Sequence, residues 1–431
     1  MRIKIILFAV AAYPSLFGIS YHANCQSWMP TSVPSNSWSA VASSADGTKL
    51  ITVGGFSSFP IYYTSTNSGA TWSQHSFGPE IFDTVASSAD GTKLLVSYEN
   101  FTSGTYHDGV YYSTNSGDSW TPAFSVAVPA GEPIPAVAVS ADGNTFAASS
   151  PAVQVGEFTY ESSVYISTNS GSSWSTHFPF VSQNFGGGPP GGPSWTSVTV
   201  SANGTKVAVA GFTQIGTSTN SGATTSIVPF NGAGLVASSA DGSRLIVADV
   251  FGDGLINIST NWGLTWAQTG APSNFWNSVA VSADGSKLAA VALQSSSSGL
   301  LNTPVYTSAD SGATWSTNGS PSAAWSGIAS SADGGTLVAV AGSTTNSNAG
   351  GGVYTLQSVP APVMNLTTTG TNVVLSWVLP STNFVLQQNP SLSTTNWLTL
   401  TNIPALDFTN LQNQVILPMT NGNDFYRLKV L

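Results

Sequence analysis

Cysteine and positive charge are what this sequence lacks most. Cys25 is the only cysteine, so the chain cannot form an internal disulfide. Nine Lys and Arg residues stand against 19 Asp and Glu residues, which gives a formal net charge of −10 at pH 7. So few cations cannot neutralise a row of phosphates, and we therefore expect no nucleic-acid partner.

Long apolar runs and helical periodicity are also missing. Beyond the N-terminus no apolar run approaches the roughly 20 residues that a membrane helix needs, so we expect no membrane span. Apolar residues do not recur at the spacing of an amphipathic helix over any long stretch. Hydrophobic residues nevertheless make up 41 % of the chain, and 43 glycines are spread along it. The sequence predicts an all-β protein of many short strands joined by tight turns.

The N-terminus has the form of an export signal. Arg2 and Lys4 precede an apolar stretch over residues 5–20. We predict a signal peptide over residues 1–25, with cleavage after either Ser20 or Cys25, and lipidation of Cys25 is an alternative. The mature protein is expected to be secreted or held at the cell surface.

A turn of the type Ser-Ala-Asp-Gly occurs seven times, once with Asn203 in place of the aspartate. The copies span residues 44–50, 88–94, 140–146, 201–207, 239–245, 282–288 and 331–337. Asp-Gly suits a hairpin because aspartate tolerates a positive φ and glycine adopts it readily. Strand patterns that repeat every roughly 40–60 residues predict a β-propeller in which each repeat is one four-stranded blade.

An eight-residue turn alternates with the first one, and its first copy reads STNSGATW. The six copies span residues 65–72, 113–120, 167–174, 218–225, 259–266 and 308–315. The third residue of the turn can hydrogen-bond the backbone that follows it, so we predict a structural role for this position. The residues at that position are Asn67, Asn115, Asn169, Asn220, Asn261 and Asp310.

Seven turns of the first type but six of the second leave the seventh blade without a fourth strand. Trp28 and Trp38 are separated by the same spacing as Trp266 and Trp276, which join one blade to the next. We therefore predict that residues 26–31 supply the missing strand and close the ring. The predicted seven-bladed β-propeller spans residues 26–357.

A second module follows the predicted propeller. Pro360 and Pro362 mark a linker over residues 358–362. Residues 363–431 contain short alternating segments, which predict a small β-sandwich. This module resembles fibronectin type III and immunoglobulin-like domains, and the resemblance implies a role in attachment or spacing.

The eight-residue turn resembles the Asp-box, or BNR, repeat of sialidases, sortilin-like receptors, photosystem assembly factors and several glycoside hydrolases. That resemblance implies boxes that lie on the periphery of the blades and serve the scaffold. A sialidase holds its carboxylate substrate with three arginines. The only arginines here are Arg2 in the signal, Arg244 in a repeated hairpin and Arg427 in the tail, so sialidase activity is not expected.

The two repeated turns join strands one to two and three to four of each blade, so they emerge together on what we call the constant face. The remaining connections form the variable face, where loops differ in length and can carry function. Loops of the early blades hold side chains that suit acid–base chemistry if the protein is an enzyme. These are Glu99, His107, Asp108, Glu157 and Glu161. The alternative is that they are only solvated.

Aromatic residues begin five of the seven predicted inner strands, on the variable face. They are Trp38, Phe82, Trp195, Trp276 and Trp325, and the early loops add Tyr106 and Tyr160. Such rings either stack on sugars at the channel mouth or pack between blades. The cations that follow the first type of turn are predicted to form a solvated rim. They are Lys49, Lys93, Lys206, Arg244 and Lys287.

The sequence favours a monomeric, non-catalytic binding protein. We expect it to bind a glycan or an extracellular protein through the variable face, with no cofactor or metal ion. One alternative is a glycoside hydrolase or polysaccharide lyase that uses the carboxylates of that face. Another is a structural surface protein without a small ligand.

Overall fold

The computed structural model describes most of the chain between residues 28 and 430. The described residues are 28–54, 61–78, 80–102, 105–128, 136–150, 153–156, 159–183, 195–230, 232, 234–250, 254–292, 294–296, 299–301, 303–317, 320–342, 351–357, 364–378, 384–390, 396–401, 404–407, 412–418 and 425–430. The predicted signal peptide and linker lie outside them, as does Glu157.

The described residues form short strands and turns, and no helix occurs among them. After β1 (Trp28–Pro30), the first two sheets contain β2 (Trp38–Ser43), β3 (Leu50–Gly54), β4 (Ile61–Ser65), β5 (Ser73–Ser76), then β6 (Ile81–Ser87), β7 (Leu94–Thr102), β8 (Thr105–Ser113) and β9 (Thr121–Val128). The third and fourth contain β10 (Val137–Val139), β11 (Phe146–Ser149), β12 (Val153–Gly156), β13 (Thr159–Ser167), β14 (Ser175–Gln183), then β15 (Trp195–Val200), β16 (Val207–Gly211), β17 (Gln214–Ser218) and β18 (Ser226–Pro229).

Three more sheets and the C-terminal region complete the chain. The fifth and sixth sheets contain β19 (Leu235–Ser238), β20 (Leu245–Ala248), β21 (Ile256–Ser259), β22 (Ala267–Gln268), then β23 (Trp276–Val281), β24 (Leu288–Ala292) and β27 (Val305–Ser308), with β25 (Gln294–Ser296) and β26 (Gly299–Leu301) as a separate hairpin. The seventh contains β28 (Trp325–Ser330), β29 (Thr336–Ala341) and β30 (Val353–Gln357). The C-terminal strands are β31 (Met364–Thr369), β32 (Asn372–Val378), β33 (Phe384–Asn389), β34 (Leu398–Thr399), β35 (Ala405–Asp407), β36 (Gln412–Pro418) and β37 (Phe425–Val430).

The strand from the N-terminus completes the seventh sheet. β1 pairs antiparallel with β30, and Trp28 lies opposite Leu356. The sheet therefore has the order β1-β30-β29-β28, with its outer strand taken from the opposite end of the chain. The spacing of Trp28 and Trp38 predicts this arrangement, and the pairing confirms it.

The first strands of the seven sheets contact one another in a closed cycle. The contacts join β2 to β6, β6 to β10, β10 to β15, β15 to β19, β19 to β23, β23 to β28, and β28 back to β2. Within the described residues, the alanine of each Ser-Ala-Asp-Gly or Ser-Ala-Asn-Gly turn donates its N–H to the equivalent alanine carbonyl of the next sheet. The bonds, of 2.7–3.0 Å, run from Ala45 through Ala89, Ala141, Ala202, Ala240, Ala283 and Ala332 back to Ala45.

Local hydrogen bonds explain why the first turn recurs. Ser44 Oγ donates to Asp46 Oδ1 at 2.6 Å, and the same carboxylate oxygen accepts the Thr48 N–H at 3.0 Å. Gly47 has a φ of 71°, which a glycine adopts without strain. The turn therefore satisfies part of its own backbone, while its alanine bonds the next sheet.

The eight-residue turn is also held by its own side chains. Gly69 N–H donates to Ser65 Oγ at 2.9 Å, and Thr71 N–H donates to Asn67 Oδ1 at 2.8 Å. Ser68 and Gly69 follow one another at positive φ, 56° and 85°. Ser68 N–H also donates to Thr48 O at 2.8 Å, which places the two kinds of turn side by side on the constant face.

The cations after the first turns bridge neighbouring sheets, so the prediction of a solvated rim is wrong. Lys93 Nζ donates to Ser170 Oγ at 2.9 Å, and an Arg244 guanidinium nitrogen donates to Ser311 Oγ at 2.6 Å. Lys206 lies over the Trp262 ring instead, 5.4 Å from its centroid. The constant face is therefore fastened by side chains as well as by the alanine ring.

The C-terminal strands form two antiparallel sheets over one core. Their orders are β31-β32-β36-β35 and β34-β33-β37. Leu375 and Trp377 from the first sheet pack with Leu386 from the second, together with Val415. Within the described residues, no helix is long and apolar enough to cross a membrane.

Candidate functional site

The aromatic residues that begin the inner strands are buried. Trp38, Phe82, Trp195, Trp276 and Trp325 each lie in a core cluster between sheets. Their rings have no face open to a ligand, which favours packing over sugar stacking. Tyr106 and Tyr160 lie in β8 and β13, and their side chains are outside the described residues.

Three of the buried tryptophans form hydrogen bonds with the preceding sheet. The indole N–H of Trp195 donates to Phe178 O at 2.9 Å, that of Trp276 to Gly254 O at 2.8 Å, and that of Trp325 to Thr303 O at 2.7 Å. Each acceptor belongs to the sheet that precedes the tryptophan. A buried indole N–H needs such a partner, so the bond both satisfies the ring and fixes the neighbouring sheet.

Two other aromatic residues of the variable face are exposed. Phe275 lies in the connection from β22 to β23 and keeps 49 % of its surface exposed. Phe212 lies in the short connection from β16 to β17 and keeps 36 % exposed. Phe275 directly precedes the buried Trp276, so the exposed ring lies one residue before the tryptophan that the sequence offers as a ligand contact.

Carboxylates from three strands of the second sheet gather at its variable-face end. Glu99 in β7 lies directly opposite Asp108 in β8, so the two side chains project from the same side of the sheet. Asp83 lies in β6 at a bulge between Phe82 and Thr84. Glu99 and Asp108 both act electrostatically on the Asp83 carboxyl, which places the three acids together.

The Asp83 carboxyl is protonated far more readily than an ordinary aspartate. Burial is the main cause, and the charges of Glu99 and Asp108 add to it; together they raise the pKa of Asp83 to about 7. A backbone hydrogen bond from Glu99 opposes the shift. Asp83 Oδ2 is buried and has no hydrogen-bond partner among the described residues. Sequence analysis missed this residue.

Other sheets place a hydrogen-bond donor at the position of Asp83. At the same bulge, Thr196 Oγ1 donates to Gly234 O at 2.7 Å, and Ser326 Oγ donates to Trp38 O at 2.5 Å. Asn277 Nδ2 donates to Trp325 O at 3.0 Å. Each bond reaches the inner strand of the next sheet. A carboxylate cannot donate in this way, whereas a protonated carboxyl can.

Asp108 does not have the exposure that substrate contact needs. Asp108 is 1 % exposed, while Glu99 is half-buried. His107 is half-buried and lies opposite Asn100, one position along from the Glu99–Asp108 pair. Side chains alternate between the two sides of a strand, so His107 points away from the carboxylates. The catalytic set predicted from the sequence is thus brought together only in part.

Glu161 lies apart from the other acids of the predicted catalytic set. Glu161 is exposed in β13 of the third sheet, on a different sheet from the Asp83, Glu99 and Asp108 group. Among the residues that the structure describes, no group of three His, Cys, Asp or Glu side chains is arranged to hold a metal ion.

An aromatic cluster underlies the carboxylates. The Tyr98 and Tyr111 ring centroids are 4.8 Å apart, and Phe77 lies 4.8 Å from Tyr111. Tyr98 packs across the strand over Gly109, where an added Cβ would come within 2.5 Å of the tyrosine ring. Burial, followed by the Glu80 charge, raises the pKa of Tyr111. This packing fixes the strands that carry Glu99 and Asp108.

Comparison with known proteins identifies the fold. No family model matches the sequence, and no curated protein matches it. Among solved structures, the chain is similar to the β-propeller domain of Cps50 (Swd1) from Myceliophteria thermophila, with a TM-score of 0.50 and 13 % sequence identity. The match covers 77 % of this chain and 100 % of that one. The chain contains a β-propeller. Identity this low supports the fold alone.

The central channel of the propeller is narrow at the constant face. A cavity of about 160 Å³ lies there, lined by the alanine ring and by small residues such as Ser43, Ser87 and Ser330. Serine hydroxyls and alanine methyls offer neither charge nor a large apolar surface. The variable face is therefore the better candidate for ligand contact.

Proposed function

We propose that the protein is an exported, non-catalytic binding protein that recognises a glycan or a surface protein through its variable face. In this proposal the seven sheets are the seven blades of an Asp-box propeller, and the C-terminal sheets are a β-sandwich of the fibronectin or immunoglobulin type. The closed cycle of inner strands and the side-chain bonds within the eight-residue turns support the first part. The shared core of the two C-terminal sheets supports the second.

One contrast carries the proposed function. Phe275 exposes half of its ring on the variable face, while Asp108 and the Asp83 Oδ2 atom are buried. An exposed aromatic ring can stack on a sugar or anchor a protein contact. A buried carboxylate cannot reach a glycosidic bond. The side chains available on this face therefore favour binding over acid–base chemistry.

A hydrolase is the second candidate, because of the charge state of Asp83. A carboxyl with a pKa of about 7 beside two others is the kind of pairing that provides a general acid and a base at neutral pH. Glu99 is the half-buried member that a substrate would meet first. Catalysis by this group would require the variable face to open around Asp108.

A glycan array with two matched variants tests the proposal. Phe275→Ala removes the exposed ring of the variable face, and Leu264→Ala removes an 83 % exposed side chain from an eight-residue turn of the constant face. We expect Phe275→Ala to weaken binding at least about tenfold and Leu264→Ala to bind as the wild type does. Equal binding by both variants would place the ligand elsewhere on the protein.

A further inference from the structure

Each eight-residue turn is seated in a groove between its own sheet and the sheet before it. The glycine of the turn makes the closest approach. An added Cβ at Gly69 would lie 2.9 Å from Thr355, and one at Gly171 would lie 2.9 Å from Tyr112. In both cases the contacted residue belongs to the third strand of the preceding sheet. At Gly117 and Gly263 the nearest atom would lie at 3.5 and 3.4 Å, so the seat is tight for a Cβ at some turns and only close at others.

The seventh sheet lacks the sequence of such a turn. Leu356 pairs with Leu337 as Ser65 pairs with Leu50, so a leucine stands where the turn should begin with serine. From residue 356 the sequence continues as LQSVPAPV, with a proline in place of the glycine. The hydroxyl that accepts the glycine N–H in the other turns is missing here.

A groove lies at the seat that the seventh turn would fill. Its volume is about 330 Å³. Thr307 in the third strand of the sixth sheet lines one side, and Leu337 and Leu356 of the seventh sheet line the other. Trp315 and Lys287 complete it. Equivalent residues receive the turn glycine in two other grooves: Thr355 and Leu50 lie nearest Gly69, and Thr217 and Leu245 lie near Gly263.

Two hydrogen-bond donors, Lys287 in the groove and Trp28 packed behind its Leu337 and Leu356, are the equivalents of donors that bind a turn in other sheets. Trp28 is the equivalent of Trp72, whose indole N–H donates to Gly69 O at 3.0 Å. Trp28 is 8 % exposed, and its Nε1 has no hydrogen-bond partner among the described residues. Lys287 is the equivalent of Lys93, whose ammonium donates to the turn serine Ser170. Lys287 donates to Asp333 O at 2.8 Å, as Lys206 does to Asp241 O at 2.9 Å, and has no turn serine as a second acceptor among the described residues.

We propose that this groove docks a peptide turn supplied by a partner protein. The turn presents glycine at Thr307, an oxygen to Trp28 Nε1 and a hydroxyl to Lys287, as the seated turns of the chain do for their own grooves. A second copy of this chain is not the partner, because its six turns are already seated. The site lies towards the constant face and is independent of the variable-face function.

Fluorescence anisotropy with a labelled STNSGATW peptide and the full chain tests this site. We expect saturable binding to the wild type. Binding should be at least about tenfold weaker for a peptide with valine in place of glycine, because the turn glycines have φ of 85–93°, which a β-branched residue adopts only with strain. Thr307→Arg, which fills the groove, should have the same effect, while Ser226→Arg on the exposed strand β18 should leave binding unchanged.

Lys287→Ala keeps the groove open and covers the case in which Thr307→Arg does not fold. It should weaken peptide binding several-fold, and its melting temperature, which reports the loss of the Lys287–Asp333 bond between sheets, is measured alongside to show that the variant is folded. Absence of saturable binding to the wild type would overturn the proposal, and so would equal binding by both arginine variants. A Thr307→Arg protein that melts several degrees lower, with no peptide binding to the wild type, would indicate that the chain's own continuation fills the groove.

Discussion

Ala332 donates its backbone N–H to the carbonyl of Ala45 at 2.7 Å, and this bond joins the last sheet of the propeller to the first. The bond completes a ring that passes through one alanine of every sheet. Together with the pairing of β1 and β30, it closes the fold both near the channel and at the outer edge. The constant face is therefore a fastened scaffold, and variation is left to the opposite face.

Replacing Trp28 by alanine should destabilise the whole propeller. Trp28 packs against Trp325, with ring centroids 6.3 Å apart, and supplies the buried side of β1. We expect a loss of about 3–5 kcal/mol in the free energy of unfolding, as for other large aromatic residues removed from a core. Urea unfolding followed by tryptophan fluorescence measures it.

Met29→Ala is the matched control for that experiment. Met29 follows Trp28 in the same strand but is 60 % exposed, so its loss should change the unfolding free energy by less than about 0.5 kcal/mol. Equal effects of the two substitutions would mean that β1 does not contribute to closing the ring.

Gly109→Ala should disturb the strands that carry the carboxylates. The added methyl would meet the Tyr98 ring at 2.5 Å, and overpacking of this kind costs about 1–3 kcal/mol. Thermal unfolding of Gly109→Ala alone and combined with Tyr98→Ala checks the cause. The methyl should cost markedly less in the Tyr98→Ala background; an undiminished cost would point to the backbone of Gly109 instead of the ring.

The repeated turns are the part of this fold that the sequence predicts well. Residues such as Asn115 and Gly117 form bonds within a few positions of the chain, so their pattern alone indicates the turn. The closure by β1 could be predicted from the spacing of Trp28 and Trp38, because that spacing repeats wherever one sheet leads to the next. Short-range hydrogen bonds and sequence repetition were sufficient to predict the turns and the ring closure.

The candidate site was predicted less well, because it depends on bulges. A bulge between Trp276 and Ser278 interrupts the strand alternation, so the sequence does not tell which of Phe275 and Trp276 faces solvent. Asp83 also lies at a bulge and meets Glu99 and Asp108 only when three strands are in register. Aligning the repeats by position provides a signal, since Asp83 is an acid where Thr196 and Ser326 are neutral donors.

Asp83 should make stability depend on pH. Its pKa is about 7 in the folded protein, against an ordinary value of 3.8. Because the pKa of Asp83 is higher in the folded state, its protonated carboxyl contributes to the free energy of unfolding. This contribution is complete below about pH 4 and is lost as the pH rises through about 7. Asp83→Asn stays neutral, so it should be more stable than the wild type at pH 8, by about 1–3 kcal/mol, and similar to it at pH 4.5.

Melting temperatures from pH 4.5 to 8 measure this difference. The exposed Glu161 provides the control, since Glu161→Gln should follow the wild-type curve throughout. Parallel curves for Asp83→Asn and the wild type would show that the carboxyl does not titrate in this range.

The asparagine of the eight-residue turn should be replaceable by aspartate but not by alanine. Asn115 Oδ1 accepts from Ser113 Oγ at 2.8 Å and from Ser119 N–H at 3.0 Å. Aspartate keeps both acceptor bonds, and Asp310 makes their equivalents in the sixth turn. We expect Asn115→Ala to lower the unfolding free energy by about 1–2 kcal/mol and Asn115→Asp to change it little. If Asn115→Asp lowered the unfolding free energy as much as Asn115→Ala, the amide N–H₂ would be the essential group.

Product release from a panel of polysaccharides tests whether the protein binds glycans without cleaving them. The wild type, Asp83→Asn and Glu99→Gln are incubated with each polysaccharide at pH 5 and pH 7, and new reducing ends or unsaturated products are measured. We expect no product from any of the three proteins. We also expect Glu99→Gln to bind glycan within about twofold of the wild type. If the wild type releases product reproducibly and either substitution abolishes the release, the non-catalytic binding function is contradicted and the carboxylates are catalytic.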